Sequence, residues 1–273
     1  MDITLLGTGS PLPNPDRAGP ATLLRAGDAT MLFDCGRGVV MRLTAAGVLP
    51  MMLSAVLLTH LHSDHITDLN DIVTTHWVMS PAPTALRVIG PPGTQRVVDG
   101  LLAMLSLDQS YRLAHHETLT EGPRVEVTEV DPGAVLDVAG VAVSVHRTDH
   151  RPVSPTVGYR VEHEGKVAAI AGDTVPCPEL DAMCQDADLY VQTVIRADLV
   201  AAIPNARLQD ILDYHSSVEQ AAQTATRAGV KTLVMTHYVP PMQPADAEAW
   251  RALAAAHFSG PIVLGDDLTT ATA

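Results

Sequence analysis

The sequence predicts an α/β protein in which two β-sheets pack face to face and helices cover their outer surfaces. Two batches of short apolar strands, with helical segments between and after them, indicate this arrangement. Hydrophobic residues make up 47% and charged residues 18% of the chain, which is enough apolar material for a large core. No repeat, low-complexity stretch or linker divides the sequence, so we expect one domain over residues 1–273.

The first batch of strands begins with the apolar segment Ile3–Leu6, which ends in a glycine-rich turn. Two further apolar segments flank Gly27-Asp28 and predict a hairpin formed by Ala21–Arg25 and Ala29–Phe33. The remaining elements predicted in this half are a helix at Gly38–Ala46, a buried strand at Ser54–Thr59, a helix from Ile66 to about Val78, a strand at Leu86–Ile89 and a helix at Gln95–Leu105.

The second batch starts with short valine-rich strands between Val125 and Val145, separated by turns at Gly133 and Gly140. His115 and His116 precede these strands in a polar stretch that we interpret as a solvated loop. The remaining predicted elements are a hairpin of Val157–Val161 and Val167–Ala171, strands at Leu189–Val194, Thr232–Met235 and Ile262–Leu264, and helices at Ser217–Ala228 and near Asp246–His257.

A dense group of metal-binding side chains directly follows the strand Ser54–Thr59. His60, His62, Asp64 and His65 fall within six residues. The alternating histidines can face the same way from an extended segment, and imidazole and carboxylate ligands suit Zn²⁺ and similar ions. A polar surface turn is the alternative, but such a turn rarely combines this many ligands. The segment therefore predicts part of a metal site.

Other candidate ligands also follow apolar strands. Asp173 comes after Val167–Ala171, and His237 after Leu233–Met235. His150 follows the valine-rich strand that ends at Val145, and His146 competes with it for the same role. Because layered α/β folds build sites where strands end, these side chains are expected to meet the first group. A carboxylate such as Asp173 can bridge two metal ions.

Residues 59–65 resemble the His-x-His-x-Asp-His signature of the metallo-β-lactamase superfamily, and the whole chain resembles the ribonuclease Z / arylsulfatase-like branch. The branch usually has an acidic residue where this chain has Arg37. The resemblance implies a four-layer αββα sandwich. The other motifs that carry it, in order, are Leu5–Ser10, Phe33–Gly36, His150–Pro152, Gly158–Arg160, Ala171–Thr174, His215–Ser217 and Thr236–Tyr238.

The resemblance also implies a role for each residue of the site. Asp173 would bridge two divalent ions, for which the ligand chemistry favours zinc, and Asp34 would orient a ligand histidine. His215 would donate a proton to the leaving group or stabilise charge, although it could simply belong to the start of the following helix. The implied ligands are His60, His62 and His150 for one ion, and Asp64, His65 and His237 for the other.

A binuclear centre of this kind predicts a hydrolase in which a water of lowered pKa attacks phosphorus, sulfur or carbonyl carbon, with Asp64 orienting that water. Members of the branch that process tRNA carry a protruding arm between the third histidine and the bridging aspartate. Here a compact hairpin fills the interval from His150 to Asp173, and the net charge is −14. We therefore expect a small phosphodiester, aryl sulfate or other ester as substrate, with RNA disfavoured.

Three alternatives remain at this point. The chain could be a ribonuclease Z-type endonuclease for tRNA 3′ ends that binds RNA through another surface, or a lactonase or β-lactam hydrolase. A metal-free scaffold predicts eroded ligands, and none is eroded. The cysteines Cys35, Cys177 and Cys184 form no disulfide pattern, and neither a signal segment nor a membrane span is visible. We expect a cytoplasmic homodimer without a membrane partner.

Overall fold

Two seven-stranded sheets form the centre of the protein in a computed structural model that describes residues 1–273. The first sheet has the order β14-β1-β2-β3-β4-β5-β6, and the second has the order β13-β12-β11-β10-β9-β8-β7. The strands are β1 Asp2–Gly7, β2 Ala21–Ala26, β3 Ala29–Phe33, β4 Ala55–Leu57, β5 Ala85–Gly90, β6 Arg124–Glu129, β7 Val135–Val138, β8 Val141–Arg147, β9 Val157–His163, β10 Lys166–Ile170, β11 Leu189–Ile195, β12 Thr232–Val239, β13 Ile262–Leu264 and β14 Thr269–Thr272.

Helices lie on the outer faces of both sheets. They are α1 Val39–Ala45, α2 Ser63–Ile66, α3 Leu69–Met79, α4 Thr94–Met104, α5 Ser106–His115, α6 Pro178–Cys184, α7 Ala197–Ala201, α8 Ala206–Gln209, α9 Val218–Arg227 and α10 Ala247–Ala255, with short 3₁₀ turns at Pro50–Met52, Asp210–Asp213 and Pro244–Asp246. None of the helices has the length and apolarity that a membrane crossing requires.

Three hydrophobic clusters pack the layers of the protein against one another. The first lies between the sheets and joins inward residues such as Phe33 and Tyr159, whose rings are 5.6 Å apart. The second packs the outer face of the second sheet against α6, α9 and α10. The third packs the outer face of the first sheet against α1, α3 and α4. Burial of apolar surface on both faces of each sheet therefore produces the four-layer αββα sandwich that the sequence predicted.

The central strands of both sheets are parallel. β3, β4 and β5 run in one direction in the first sheet, and β10, β11 and β12 do so in the second. β8 points the same way as β10, because β9 is antiparallel to both. The segments that follow β4, β8, β10 and β12 therefore meet at one edge of the sandwich, which we call the site edge.

The structure differs from the sequence-based expectation in several elements. The helix predicted from Ile66 to about Val78 begins only at Leu69, as α3, and the short helix α2 precedes it. Helix α5 ends at His115, where we expected a loop. No residue of α5 is buried, and its apolar residues Leu107, Tyr111 and Leu113 are exposed, so the helix has no packed face by which it could be recognised. Helix α6 and strand β14 were not predicted. β12 continues past Met235 to Val239 and thereby carries His237 to the site edge.

Candidate metal centre

The site edge brings together all seven residues of the expected ligand set. The segment after β4 contributes four of them, and the segments after β8, β10 and the end of β12 contribute one each. Their ligand atoms form two compact groups joined by Asp173. His146 stays outside, because it bonds the hydroxyl of Ser144 on the same strand. His115 and His116 also stay outside the two groups, and their rings contact each other.

The first group consists of His60, His62, His150 and Asp173. The Nδ1 atom of His62 lies 3.0 Å from Nε2 of His60 and 3.3 Å from Nε2 of His150. Oδ2 of Asp173 lies 3.8 Å from Nε2 of both His60 and His150. His62 is the least buried member, so this group opens toward solvent.

The second group consists of Asp64, His65 and His237, all buried. Oδ2 of Asp64 lies 3.3 Å from Nε2 of His237 and 3.6 Å from Nε2 of His65. Oδ2 of Asp173 lies 3.3 Å from Nε2 of His65 and 3.6 Å from Nε2 of His237. Asp173 thus stands between the two groups.

Hydrogen bonds on the far side of the ring orient three of the histidines, which are His60, His65 and His150. Nδ1 of His65 donates to Oδ2 of Asp34 at 2.8 Å, and Nδ1 of His150 donates to the carbonyl of Tyr214 at 2.8 Å. The hydroxyl of Thr59 lies 3.1 Å from Nδ1 of His60 and donates to Asp34 at 2.9 Å. Such bonds are typical of metal-binding histidines, because they fix the tautomer that leaves Nε2 free as a ligand.

The donor set fits divalent metal ions. Neighbouring ligands of a tetrahedral zinc ion, each about 2.0–2.1 Å from the metal, are separated by about 3.4 Å. The separations within the two groups scatter around that value. Nε2 of His65 and Oδ1 of Asp173 are buried and have no hydrogen-bond partner, although buried polar atoms almost always have one. Because these two atoms have no partner and the rings are held in place, the cluster is able to hold metal ions.

The electrostatics of the cluster agree with this fit. Burial, reinforced by neighbouring histidines, lowers the pKa of His60, and burial lowers the pKa of His150 to about 4, so both rings are neutral as ligands must be. Burial also opposes charge on His65, but Asp173 and Asp34 outweigh it and raise the pKa of that ring. Buried carboxylates thus attract positive charge to the centre of the site.

His215 lies at the edge of the cluster. Its Nδ1 donates to the carbonyl of Ile211 at 3.1 Å, and its Nε2 lies 3.3 Å from Oδ2 of Asp173. The ring is buried, and helix α9 begins three residues later with Ser217 as its N-cap. The simple helix-entry interpretation therefore does not account for the inward Nε2. The same geometry would also allow His215 to act as a ligand together with Asp173 and His237.

Two supports of the site were not identified from the sequence. Thr59 connects Asp34 to His60, and the carbonyl of Tyr214 orients His150. The position of Thr59 directly before His60 is the signal that could have identified it, because a threonine hydroxyl can both accept and donate a hydrogen bond. A backbone carbonyl distant in sequence leaves no such signal.

Comparison with known proteins identifies the family. The Beta-lactamase superfamily domain matches residues 29–238. The protein named Ribonuclease Z from Mycolicibacterium gilvum is 56% identical over 270 residues, covering 98% of this chain and 94% of the relative. The metallo-beta-lactamase fold protein YhfI from Bacillus subtilis has a TM-score of 0.74 at 21% identity, covering 98% of this chain and 97% of its own. Human tRNase Z, short form, has a TM-score of 0.72 at 24% identity, covering 100% of this chain and 99% of its own.

These relatives correct the expected substrate. A small phosphodiester, aryl sulfate or other ester, with RNA disfavoured, was the wrong prediction, because the chain shares more than half of its residues with proteins named Ribonuclease Z. The error came from two weak arguments. A net charge of −14 sums over the whole surface, whereas RNA contacts are local, and a short hairpin between His150 and Asp173 excludes only one way of binding RNA.

The sandwich, the paired His-Asp groups at its site edge and the full-length similarity agree with one another. The chain belongs to the ribonuclease Z branch of the metallo-β-lactamase superfamily.

Proposed function

We propose that this protein is a metal-dependent endoribonuclease of the ribonuclease Z type, which removes the 3′ trailer from precursor tRNA. The observation that carries the proposal is the high identity to proteins named Ribonuclease Z along 98% of the chain, combined with a complete ligand cluster. Every expected ligand residue is present, which supports an enzyme and not a scaffold that has kept the fold but lost its ligands.

The proposal assigns the two groups to two divalent ions, with zinc as the natural choice for a set of imidazoles and carboxylates. His60, His62 and His150 would hold one ion, and Asp64, His65 and His237 the other. Asp173 would bridge them, since its Oδ2 faces the histidines of both groups. Asp34 acts behind the ligands, where it orients His65 directly and His60 through Thr59.

Metal ions bound at such a site supply a water of lowered pKa and positive charge for the reacting phosphate. The protein side chains provide the proton transfers. Asp64 stays ionised, because its contacts with His237 and His65 lower its pKa against the opposing effect of burial, and it can orient or accept the proton of the water. The Nδ1–H of His215 is engaged by Ile211, so a second proton on Nε2 makes the ring a donor to the departing ribose oxygen.

The test is a comparison of substrates and of one variant. Purified, metal-loaded protein should cut precursor tRNA with a higher kcat/KM than bis(p-nitrophenyl) phosphate, and a chelator should abolish both reactions. The Asp173→Ala variant serves as the control for contaminating nuclease. If the protein hydrolysed only the small ester, or if Asp173→Ala cut the RNA equally well, the proposal would be wrong.

A further inference from the structure

Most basic side chains of this acidic protein are already neutralised within the fold. The chain has 17 Lys and Arg against 31 Asp and Glu. Arg151 and Arg196, which lie near the site edge, each hold a carboxylate through two bonds, Arg151 with Asp149 and Arg196 with Asp198. Such arginines cannot bind a phosphate without giving up their partners.

A few arginines are exposed and have neither an ion pair nor a hydrogen bond from the guanidinium. They are Arg37, Arg96, Arg147 and Arg207. Strand topology places the first three of them toward the site edge. Arg37 and Arg96 follow β3 and β5, the two parallel neighbours of β4, and Arg147 is the last residue of β8.

Local contacts connect three of these arginines to the ligand segments. A Cβ at Gly36, the residue before Arg37, would lie 2.6 Å from the backbone oxygen of Asp64. A Cβ at Gly93, which precedes helix α4 and Arg96, would lie 2.9 Å from Leu61, between the first two histidines. Arg147 lies three residues before His150, and both line the same cavity.

The carboxylates closest in sequence to these three arginines are bonded to other groups. Asp34 accepts from Thr59 and His65, Asp99 accepts from the side chain of Gln95, and Asp149 is held by Arg151. Glu179 shares the cavity of Arg147 and weakens its field. Arg207 differs, because Asp210 and Asp213 follow it without partners, and their charge cancels its own.

We propose that Arg37, Arg96 and Arg147 bind the phosphate backbone of the RNA on either side of the scissile bond. This inference rests on the proposed function. It explains how a chain with a net charge of −14 can hold a polyanion: the positive charge is local and lies around the metal centre. Arginine suits this role, because its guanidinium can donate two parallel hydrogen bonds to one phosphate.

The salt dependence of RNA binding tests the inference. Affinity for a fluorescent precursor tRNA is measured over a range of KCl concentrations for the wild type and for the triple variant Arg37→Gln, Arg96→Gln, Arg147→Gln. The logarithm of the binding constant falls linearly with log[salt], and each lost phosphate contact makes this negative slope shallower by about 0.7–0.9. The slope of the triple variant should therefore be shallower by about 2. Its affinity near 0.1 M salt should fall roughly tenfold to a hundredfold. Hydrolysis of bis(p-nitrophenyl) phosphate, which has no RNA backbone on either side of its phosphorus, should fall much less than RNA binding.

Arg25→Gln combined with Arg124→Gln is the control for the loss of positive charge far from the site edge. Both arginines are exposed, and both lie at the opposite edge, at the end of antiparallel β2 and the start of β6. An unchanged slope in the triple variant, or an equal loss per arginine in the control, overturns the inference. Binding that depends on the three arginines without any cleavage refutes the proposed function and leaves this inference standing. Cleavage of precursor tRNA together with an unchanged salt slope in the triple variant supports the proposed function and refutes this inference.

Discussion

Each end of the second sheet buries a carboxylate, and the groups that surround this negative charge differ between the two ends. At the start of β11, Asp188 accepts from the backbone of Val167 at 2.9 Å and from Lys231 at 2.7 Å, with Lys166 at 3.5 Å. At the end of β10, Asp173 faces only imidazoles, and one of its oxygens has no partner. Permanent cations thus neutralise one end, whereas the other lacks a permanent cation from the protein and fits a metal ion.

The largest effect is expected from Asp173→Ala, which removes the carboxylate shared by both ligand groups. Elemental analysis should find both metal ions lost, and RNA cleavage should fall on the order of 10³-fold or more, because the metals contribute several kcal/mol to the transition state. His150→Ala is the matched variant and should weaken mainly one ion. Two tightly held ions in the Asp173 variant would contradict the bridging role.

His215→Ala tests whether a histidine beside Asp173 acts without binding metal. General acid catalysis contributes 10²–10⁴-fold, and the loss should appear on RNA, whose departing ribose oxygen is a poor leaving group. Cleavage of bis(p-nitrophenyl) phosphate, which has a good leaving group, should fall much less. Metal content and thermal stability should be retained. Equal losses on both substrates would indicate charge stabilisation, and loss of an ion would make His215 a ligand.

A smaller effect is expected from Asp34→Asn, which weakens the support of His65 and, through Thr59, of His60. Removal of such an orienting partner typically costs 10–100-fold in metal affinity or activity. Thr59→Val removes only the branch to His60 and should cost less. Metal affinity can be measured by competition with a chromogenic chelator. A larger loss for Thr59→Val than for Asp34→Asn would contradict this order.

The smallest effect is expected at the other end of the sheet, from Asp188→Asn. Burial alone would raise the pKa of Asp188, but Lys231, the Val167 amide and Lys166 lower it. Because the folded pKa lies below the unfolded value of about 3.9, the ionised carboxylate stabilises the fold above that pH, and this stabilisation is lost as the pH falls through the folded pKa.

The Asp188→Asn variant should therefore be less stable at pH 7 by about 1 kcal/mol, since asparagine still accepts one hydrogen bond. The difference from wild type, measured by urea unfolding, should shrink below about pH 4. Metal content should not change. A loss of metal in this variant would show that the two ends of the sheet are not independent.

The sequence predicted which candidate side chains would meet, because each follows an apolar strand and strand ends meet at one edge once the sheets form. His60 to His65 are adjacent in the chain, and Asp173 and His237 each continue a buried strand. Features without a local pattern were missed. Helix α5 has no buried face, and the carbonyl of Tyr214 orients His150 through a contact that only the folded chain creates.

The substrate was predicted wrongly for a related reason. Net charge is a property of composition, whereas binding depends on which charges remain free after folding. Paired arginines such as Arg151 and unpaired ones such as Arg147 look alike in the sequence. Only the structure shows which carboxylates have already been neutralised.

The most direct test of the central claim is to map the products of precursor tRNA after incubation with the metal-loaded wild-type protein at physiological salt. The account predicts one cut at the junction with the 3′ trailer, abolished in Asp173→Ala and unchanged in Asp188→Asn. Intact RNA, or cuts scattered over single-stranded positions, would contradict the account.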